Sequence, residues 1–302
     1  MADGLLRSGG GDRGGLDVLT ALPGAIPLHD QRDIMERPFF SLAKRKRVAP
    51  IEYRVGDIWV RVEASPSRGM ATIWDADILL WAGSQLVEAR AKGLKTSPWL
   101  RGVPHQMLKF MGRGTRPDDY DRLFAALGRL QATNVTTNIR QGERQRAHQF
   151  SWLSEWERCI GRDGTHHGVD LVVPNWFYSG VLESRLILAV DPVYFQLTGG
   201  IERWLYRVVR KHAGWQGAGW QFTLPQLHTK SGSAARLSDF AFDIRQLAKR
   251  QALPGYWLEI FRRSDGVDIL HFTHRSLLAA DHPGFDFSWQ FLDRRLMEGA
   301  GG

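Results

Sequence analysis

The chain has 302 residues, 43% of them apolar, with 40 Lys plus Arg against 32 Asp plus Glu and a formal charge of +8. That length supplies cores for two domains of ordinary size, and the basic surplus favours a polyanionic partner over an acidic small molecule. The single Cys159 excludes an internal disulfide framework and a cysteine-based zinc site, and is expected as a small buried hydrophobe; with no apolar run of about 18 residues and no signal-peptide pattern, the expected location is the cytoplasm, away from membranes.

Residues 1–28 are Gly-rich with few large side chains and read as a disordered tail. From His29 to Pro50, the apolar Ile34, Met35, Phe39, Phe40 and Leu42 precede the basic cluster Lys44, Arg45, Lys46 and Arg47, an arm suited to phosphates. Residues 51–74 alternate as strands joined at a Val-Gly-Asp turn. Asp75 is placed to cap a helix over 76–91, with Ile78, Leu79, Ala82, Leu86 and Ala89 inward. Pro104 then opens a short helix, residues 112–114 break it, and Thr115 caps a second helix with Pro117 in its first turn. In that second helix Tyr120, Leu123, Leu127 and Leu130 form the core stripe, while Arg122 and Arg129 are expected near the outer surface. The β-prone segment from Thr133, a polar tip at 140–144 and the strand ending at Leu153 read as its wing.

Residues 163–190 read as a connector and the first sheet strand of a second unit, and Asp191-Pro192 as the start of a long helix running through Trp204 and Tyr206. After it come a short strand, a short helix, the turn 229–233, a helix over 233–251 and a hairpin tipped by Arg262, Arg263, Ser264, Asp265 and Gly266. The two halves repeat the order long helix, short helix, turn, second helix, hairpin. The expected fold is therefore α+β, two tandem winged helix-turn-helix domains with small antiparallel sheets. The expected boundaries are a tail to 28, a first domain with its basic arm over 29–162, a second and main DNA-binding domain over 163–280, and a tail over 281–302.

The helix over 233–251 carries the most specific surface. Leu237, Phe240, Ile244 and Leu247 fall on one side; Ser238, Asp239, Phe242, Arg245, Gln246 and Lys249 lie across from or beside that stripe, a mixture fit to read base edges. Ahead of it, Lys230, Ser231 and Ser233 suit a phosphate at a helix N-terminus, or simple capping. Arg262 and Arg263 reach outward from the Asp-Gly hairpin. Residues 201–275 hold 12 basic against 6 acidic residues, most of the surplus of the chain. No phosphate-binding G-x-x-x-x-G-K-[ST] loop is present, no cofactor is called for, and His271 and His274 are spaced to point oppositely on a strand, against a metal-dependent nuclease. Trp59, Trp74, Trp81, Trp204 and Trp257 sit within apolar patterns and are expected in the core.

The blocks QRDIMERPFFSLAKRKR at 31–47, IWDADILLWAGSQ at 73–85, and WLYRVVRKHAG, LHTKSGSAARLSDFAFDIR and QALPGYWLEI further on resemble the replication initiator protein A family of bacterial plasmids and integrated elements. The resemblance covers about 29–280. It implies a non-enzymatic initiator that binds repeated sites in double-stranded origin DNA, and points to Lys230, Ser231, Ser233, Arg236, Asp239 and Arg245 as DNA contacts. By analogy with other tandem winged-helix initiators, a homodimer through the first domain is expected, and the expected mechanism is origin opening followed by contacts with host helicase or initiator proteins. A winged-helix transcriptional repressor is the alternative; an origin-nicking enzyme is a weaker one.

Overall fold

The computed structural model describes residues 17–140, 147–160, 166–214 and 216–289, which form thirteen strands and eight α-helices in a mixed α/β arrangement with small sheets. The described residues begin with β1 (Leu19–Thr20), β2 (Leu28–Gln31) and α1 (Arg32–Glu36), then turn through β3 (Ile51–Val55) and β4 (Ile58–Ala64) at Gly56, whose φ of 57° suits glycine. Alternation sets the strand faces as the sequence predicts: Ile51, Tyr53, Val60 and Val62 are buried. Next come α2 (Ala76–Ala91), β5 (Trp99–Gly102), α3 (Pro104–Phe110) and α4 (Pro117–Ala132), both later helices opened by proline in the first turn. Four strands follow: β6 (Thr133–Thr137), β7 (His148–Ser151), β8 (Glu155–Ile160) and β9 (His166–Val172).

The strand pairing corrects four expectations. The tail expected over 1–28 is ordered from Asp17: β1 pairs in parallel with β5 and Leu19 is buried; residues 1–16 lie outside the described residues. The hairpin β6–β7, expected as the first wing, completes the sheet β3-β4-β6-β7, and the hairpin beside β5 is β8–β9, in the order β1-β5-β9-β8. Hairpin propensity fixes a pair of strands but not the sheet they join. The boundary expected at 162–163 thus falls inside a hairpin belonging with α2–α4. Of the expected tip, 141–144 lies outside the described residues, while Arg140 lies with its guanidinium 3.8 Å from the centre of the Trp176 ring.

The remainder runs α5 (Asn175–Leu182), β10 (Ile187–Val190), α6 (Gly200–His212), β11 (Trp220–Thr223), α7 (Leu224–Ser231), α8 (Leu237–Lys249), β12 (Tyr256–Arg262) and β13 (Asp268–His274). The expected sheet strand β10 pairs with β2 instead of the second hairpin, whose sheet has the order β11-β13-β12. The long helix expected from Asp191 is a 3-10 turn over Pro192–Gln196 followed, after a break, by α6. Trp81 and Trp204 are buried as expected, whereas Trp59, Trp74 and Trp257 are half-buried, and Cys159 is half-buried on β8. In the expected C-terminal tail, Trp289 packs beside Gly255; residues from Gln290 lie outside the described residues. No helix among the described residues is long and apolar enough to cross a membrane.

Two apolar cores meet at α2 and α6. Ile78, Leu79 and Trp81 of α2 pack in the first core and Leu80 in the second, so α2 is buried on nearly every side from Ala76 to Leu86. Arg203 and Arg207, four apart on α6, face the first half. Arg203 Nη1 lies 2.8 and 2.9 Å from the carboxylate oxygens of Asp77, whose Oδ2 also accepts from Arg113 at 2.8 Å. Arg207 donates to both oxygens of Asp30 at 2.6 and 2.9 Å. Burial pushes the Asp77 carboxyl above its ordinary range, against the pull of the two guanidinium groups.

Removing one member of such a buried pair strands the other charge, so Asp77→Ala should lower stability by about 3–5 kcal/mol in urea unfolding; an unchanged midpoint would contradict the pairing. Burial also holds His274 down at about 4 and His212 at about 3, with the cations Arg210, and Lys211 and Lys230, adding to the effect. The unfolded chain therefore takes up protons the fold refuses, and stability, full above about pH 6.5, should fall as pH drops towards 4. Urea midpoints measured at pH 7.5, 6 and 5 check the sign.

Candidate nucleic-acid interface

Helix α8 begins later than its sequence suggests. Arg236, not Ser233, is its N-cap, and the Ser233 hydroxyl instead accepts from Ala235 N at 3.2 Å. The buried face is Phe240, Ala241, Ile244, Leu247 and Ala248, whereas Leu237, expected in the core, is exposed because it opens the first turn. Ser238, Asp239, Phe242, Arg245 and Lys249 are exposed, with Gln246 half-buried beside them and Arg236 exposed at the cap. This outer face is the one the periodicity predicts.

The preceding α7 is set by a capping box: Gln226 N donates to Thr223 Oγ1 at 3.2 Å and Thr223 N to Gln226 Oε1 at 2.9 Å. Gly232 ends it at φ 58°, where a Cβ would come within 2.6 Å of Pro38, so both conformation and space require glycine. The expected phosphate clamp does not form on this turn. Lys230 Nζ is held 2.5 Å from Glu36 Oε1 and 5.2 Å from the centre of the Phe222 ring, and burial brings its pKa down to about 8. Ser231 is fully buried and donates to His228 O at 2.7 Å.

The β12–β13 hairpin is tied to α8. Arg245 donates through Nε and Nη2 to Asp268 Oδ2 at 2.9 and 2.6 Å, and Arg262 Nε to the other oxygen at 3.0 Å. Hydrogen bonding from Arg245 holds the Asp268 carboxyl below its ordinary range. Arg263 pairs with Asp265 on the tip. The three arginines are exposed, so these pairs add little net stability. His271 Nε2 meets Ala218 O at 2.8 Å, and His274 Nδ1 meets Ser276 Oγ at 2.8 Å.

The arm joins the two halves. Lys44 lies over the Trp74 ring at 5.6 Å, Lys46 donates to Ser67 O at 2.8 Å, and Arg47 donates to Gly232 O at 2.6 Å, fastening the arm to the turn of the second half. Arg45 is exposed and makes no hydrogen bond or ion pair among the described residues. On one side of the arm lies a cleft of about 860 Å³ lined by Lys44, Arg45, Lys46, Arg68, Arg122 and Arg129, with Asp75 and Asp119 as its carboxylates. On the other, a hollow of about 500 Å³ reaches Ser233 and Ala235.

Within the cleft the two arginines of α4 differ. Arg122 is exposed and pairs loosely with Asp119 at 3.2 Å. Arg129 is clamped by Asp75 at 2.8 and 2.7 Å, which replaces the cap role expected of Asp75. The α4 cap is Arg116, whose N donates to Asp119 Oδ2 at 3.1 Å, not Thr115. Arg68 went unassigned in the sequence; its signal is Gly128, inside α4, where a side chain would collide with the Arg68 guanidinium. Glycine there costs about 1 kcal/mol against alanine.

The family model described as Replication initiator protein A matches residues 29–258. The chain belongs to that family. Over 246 residues this family member is 27% identical to a protein of Wigglesworthia glossinidia brevipalpis named "Putative replication protein", covering 80% of this chain and 86% of the relative. Among solved structures it is similar to domains 2 and 3 of RctB, as selenomethionine derivatives, with a TM-score of 0.57 at 14% identity over 78% of this chain and 94% of the other. A second crystal structure of RctB domains 2–3 gives a TM-score of 0.53 at 14% identity, covering 80% and 96%. At that identity the likeness is one of fold.

The clamp on Arg129 separates two roles that charge alone merges. Arg129→Ala should destabilise the fold by about 1–3 kcal/mol by stranding Asp75, whereas Arg122→Ala should stay within about 0.5 kcal/mol. Thermal or urea unfolding of the two variants decides it, and equal losses would contradict the assignment.

Proposed function

We propose that this chain is a replication initiator that binds origin DNA with two winged-helix units and a basic arm acting as one body. The observation that carries the reading is the arm, which lines a basic cleft shared with α4 on one side and a hollow reaching the α7–α8 turn on the other. Family membership supports the replication role. The order α2, β5, α3, α4, β8–β9 and again α6, β11, α7, α8, β12–β13 supports the winged-helix assignment.

In this reading α8 enters a major groove with Ser238, Asp239, Phe242, Gln246 and Lys249 towards the bases, and Arg236, Arg245, Arg262 and Arg263 near the backbone. The α4 end of the cleft, through Arg122, meets an adjacent stretch, and Lys44, Arg45 and Lys46 neutralise the phosphates between. Binding is non-covalent: the free energy of engaging both units is available to bend the duplex or open an A·T-rich segment, after which host helicase or initiator proteins are recruited. Lys230, Ser231 and Arg129 act in this scheme by holding the turn and cleft in place.

A plasmid whose only origin is the DNA flanking the gene should replicate when this protein is supplied and not otherwise; specific binding without replication would fit a repressor and sink the initiator reading. Arg45→Ala should weaken binding to cognate and unrelated duplexes by the same factor and make the slope of log affinity against log salt shallower by about one. An unchanged slope removes the arm from the interface.

A further inference from the structure

We propose that Phe242 reads the C5-methyl group of a thymine, and that this contact gives the second unit its sequence preference at one base pair. The inference rests on the reading of α8 as a major-groove helix. Phe242 is 59% exposed, while Phe240, Ala241, Ile244 and Leu247 on the same helix are buried. A ring so placed adds little to the core, and it stands near the middle of the outer face, one turn from Ser238, Arg245 and Gln246 and two turns from Lys249. The arginine best placed to read a base beside it is already engaged: Arg245 turns both Nε and Nη2 to Asp268.

The surroundings select the occupant. The centre of a protein–protein interface is depleted in charged residues, but this ring is ringed by Arg245, Lys249 and Asp239, with Arg262 of the wing joined to the same Asp268. A charged, hydrogen-bonding surface with an exposed aromatic ring at the middle of the helix face complements a duplex groove. The thymine methyl is the apolar group that the base edges offer there.

The test uses the full chain and duplexes taken from its protected DNA, each thymine replaced in turn by deoxyuridine, which removes only the methyl group. Wild-type protein should lose about fourfold in affinity at one or two positions, the ratio expected for one buried methyl. Phe242→Ala should weaken binding to the thymine duplex by at least as much and bind thymine and uracil forms equally, and Phe242→Leu should restore part of the preference. Circular dichroism of both variants confirms the fold. Wild-type binding indifferent to every deoxyuridine, or Phe242→Ala retaining the discrimination, overturns the inference while leaving α8 as a DNA-binding helix. Phe242→Ala with normal DNA affinity but no replication would assign the ring to a protein partner and also overturn it. Absence of any sequence-specific binding by the wild type would take down the underlying reading.

Discussion

Arg203 and Arg207 project from one side of α6 into a region that water does not reach; Arg203 meets Asp77 on α2 of the first half, and Arg207 meets Asp30 on β2, the strand paired with β10. Two pairs at this depth carry a desolvation penalty of several kcal/mol per ion, offset only while their geometry is kept. A small rotation of one half against the other would lengthen bonds of 2.6–2.9 Å and leave charges unpaired in a low-dielectric interior. The two halves are therefore specified relative to one another, not merely adhering. The same junction holds α2, whose Ile78 and Trp81 pack in one core and Leu80 in the other.

Given that fixed frame, the arm gains a defined course. Lys46 donates to Ser67 O and Lys44 rests on Trp74, holding the arm to the first half, and Arg47 donates to Gly232 O in the second, while Arg45 faces solvent. Glu36 performs a related task within the second half, drawing in both Lys211 and Lys230 and fixing α1 to α6 and α7. Some cations of this basic chain hold the frame, and others, Arg45 and Arg122 among them, stay exposed.

The division between these groups was the part least legible in sequence. Helix positions followed from Pro104, Pro117 and the spacing of Phe240, Ile244 and Leu247, because those signals are local. The outer face of α8 and the hairpin tip at Asp265-Gly266 followed for the same reason. Lys230 reads as a phosphate contact when only its neighbours Thr229 and Ser231 are considered; its partner Glu36 is 194 residues away in the chain. Arg129 and Asp75 are 54 apart, and each had a plausible local role, groove contact and helix cap, that the tertiary pair displaced. The sheet of β6 and β7 was not legible because these two strands form a real antiparallel pair whose sheet membership depends on β3 and β4, some 70 residues upstream.

The proposed function requires the two helices α4 and α8 to act as one body on one duplex. Affinity measured against the spacer between the two protected segments tests this directly. With the natural spacer the protein should bind as a single unit spanning both segments; inserting about 5 bp, half a helical turn, should move one segment to the opposite face of the duplex and reduce affinity at least tenfold, with partial recovery at about 10 bp. Affinity that is the same at every spacer length would show that the halves bind independently, or that only one binds, and would contradict the rigid two-headed arrangement.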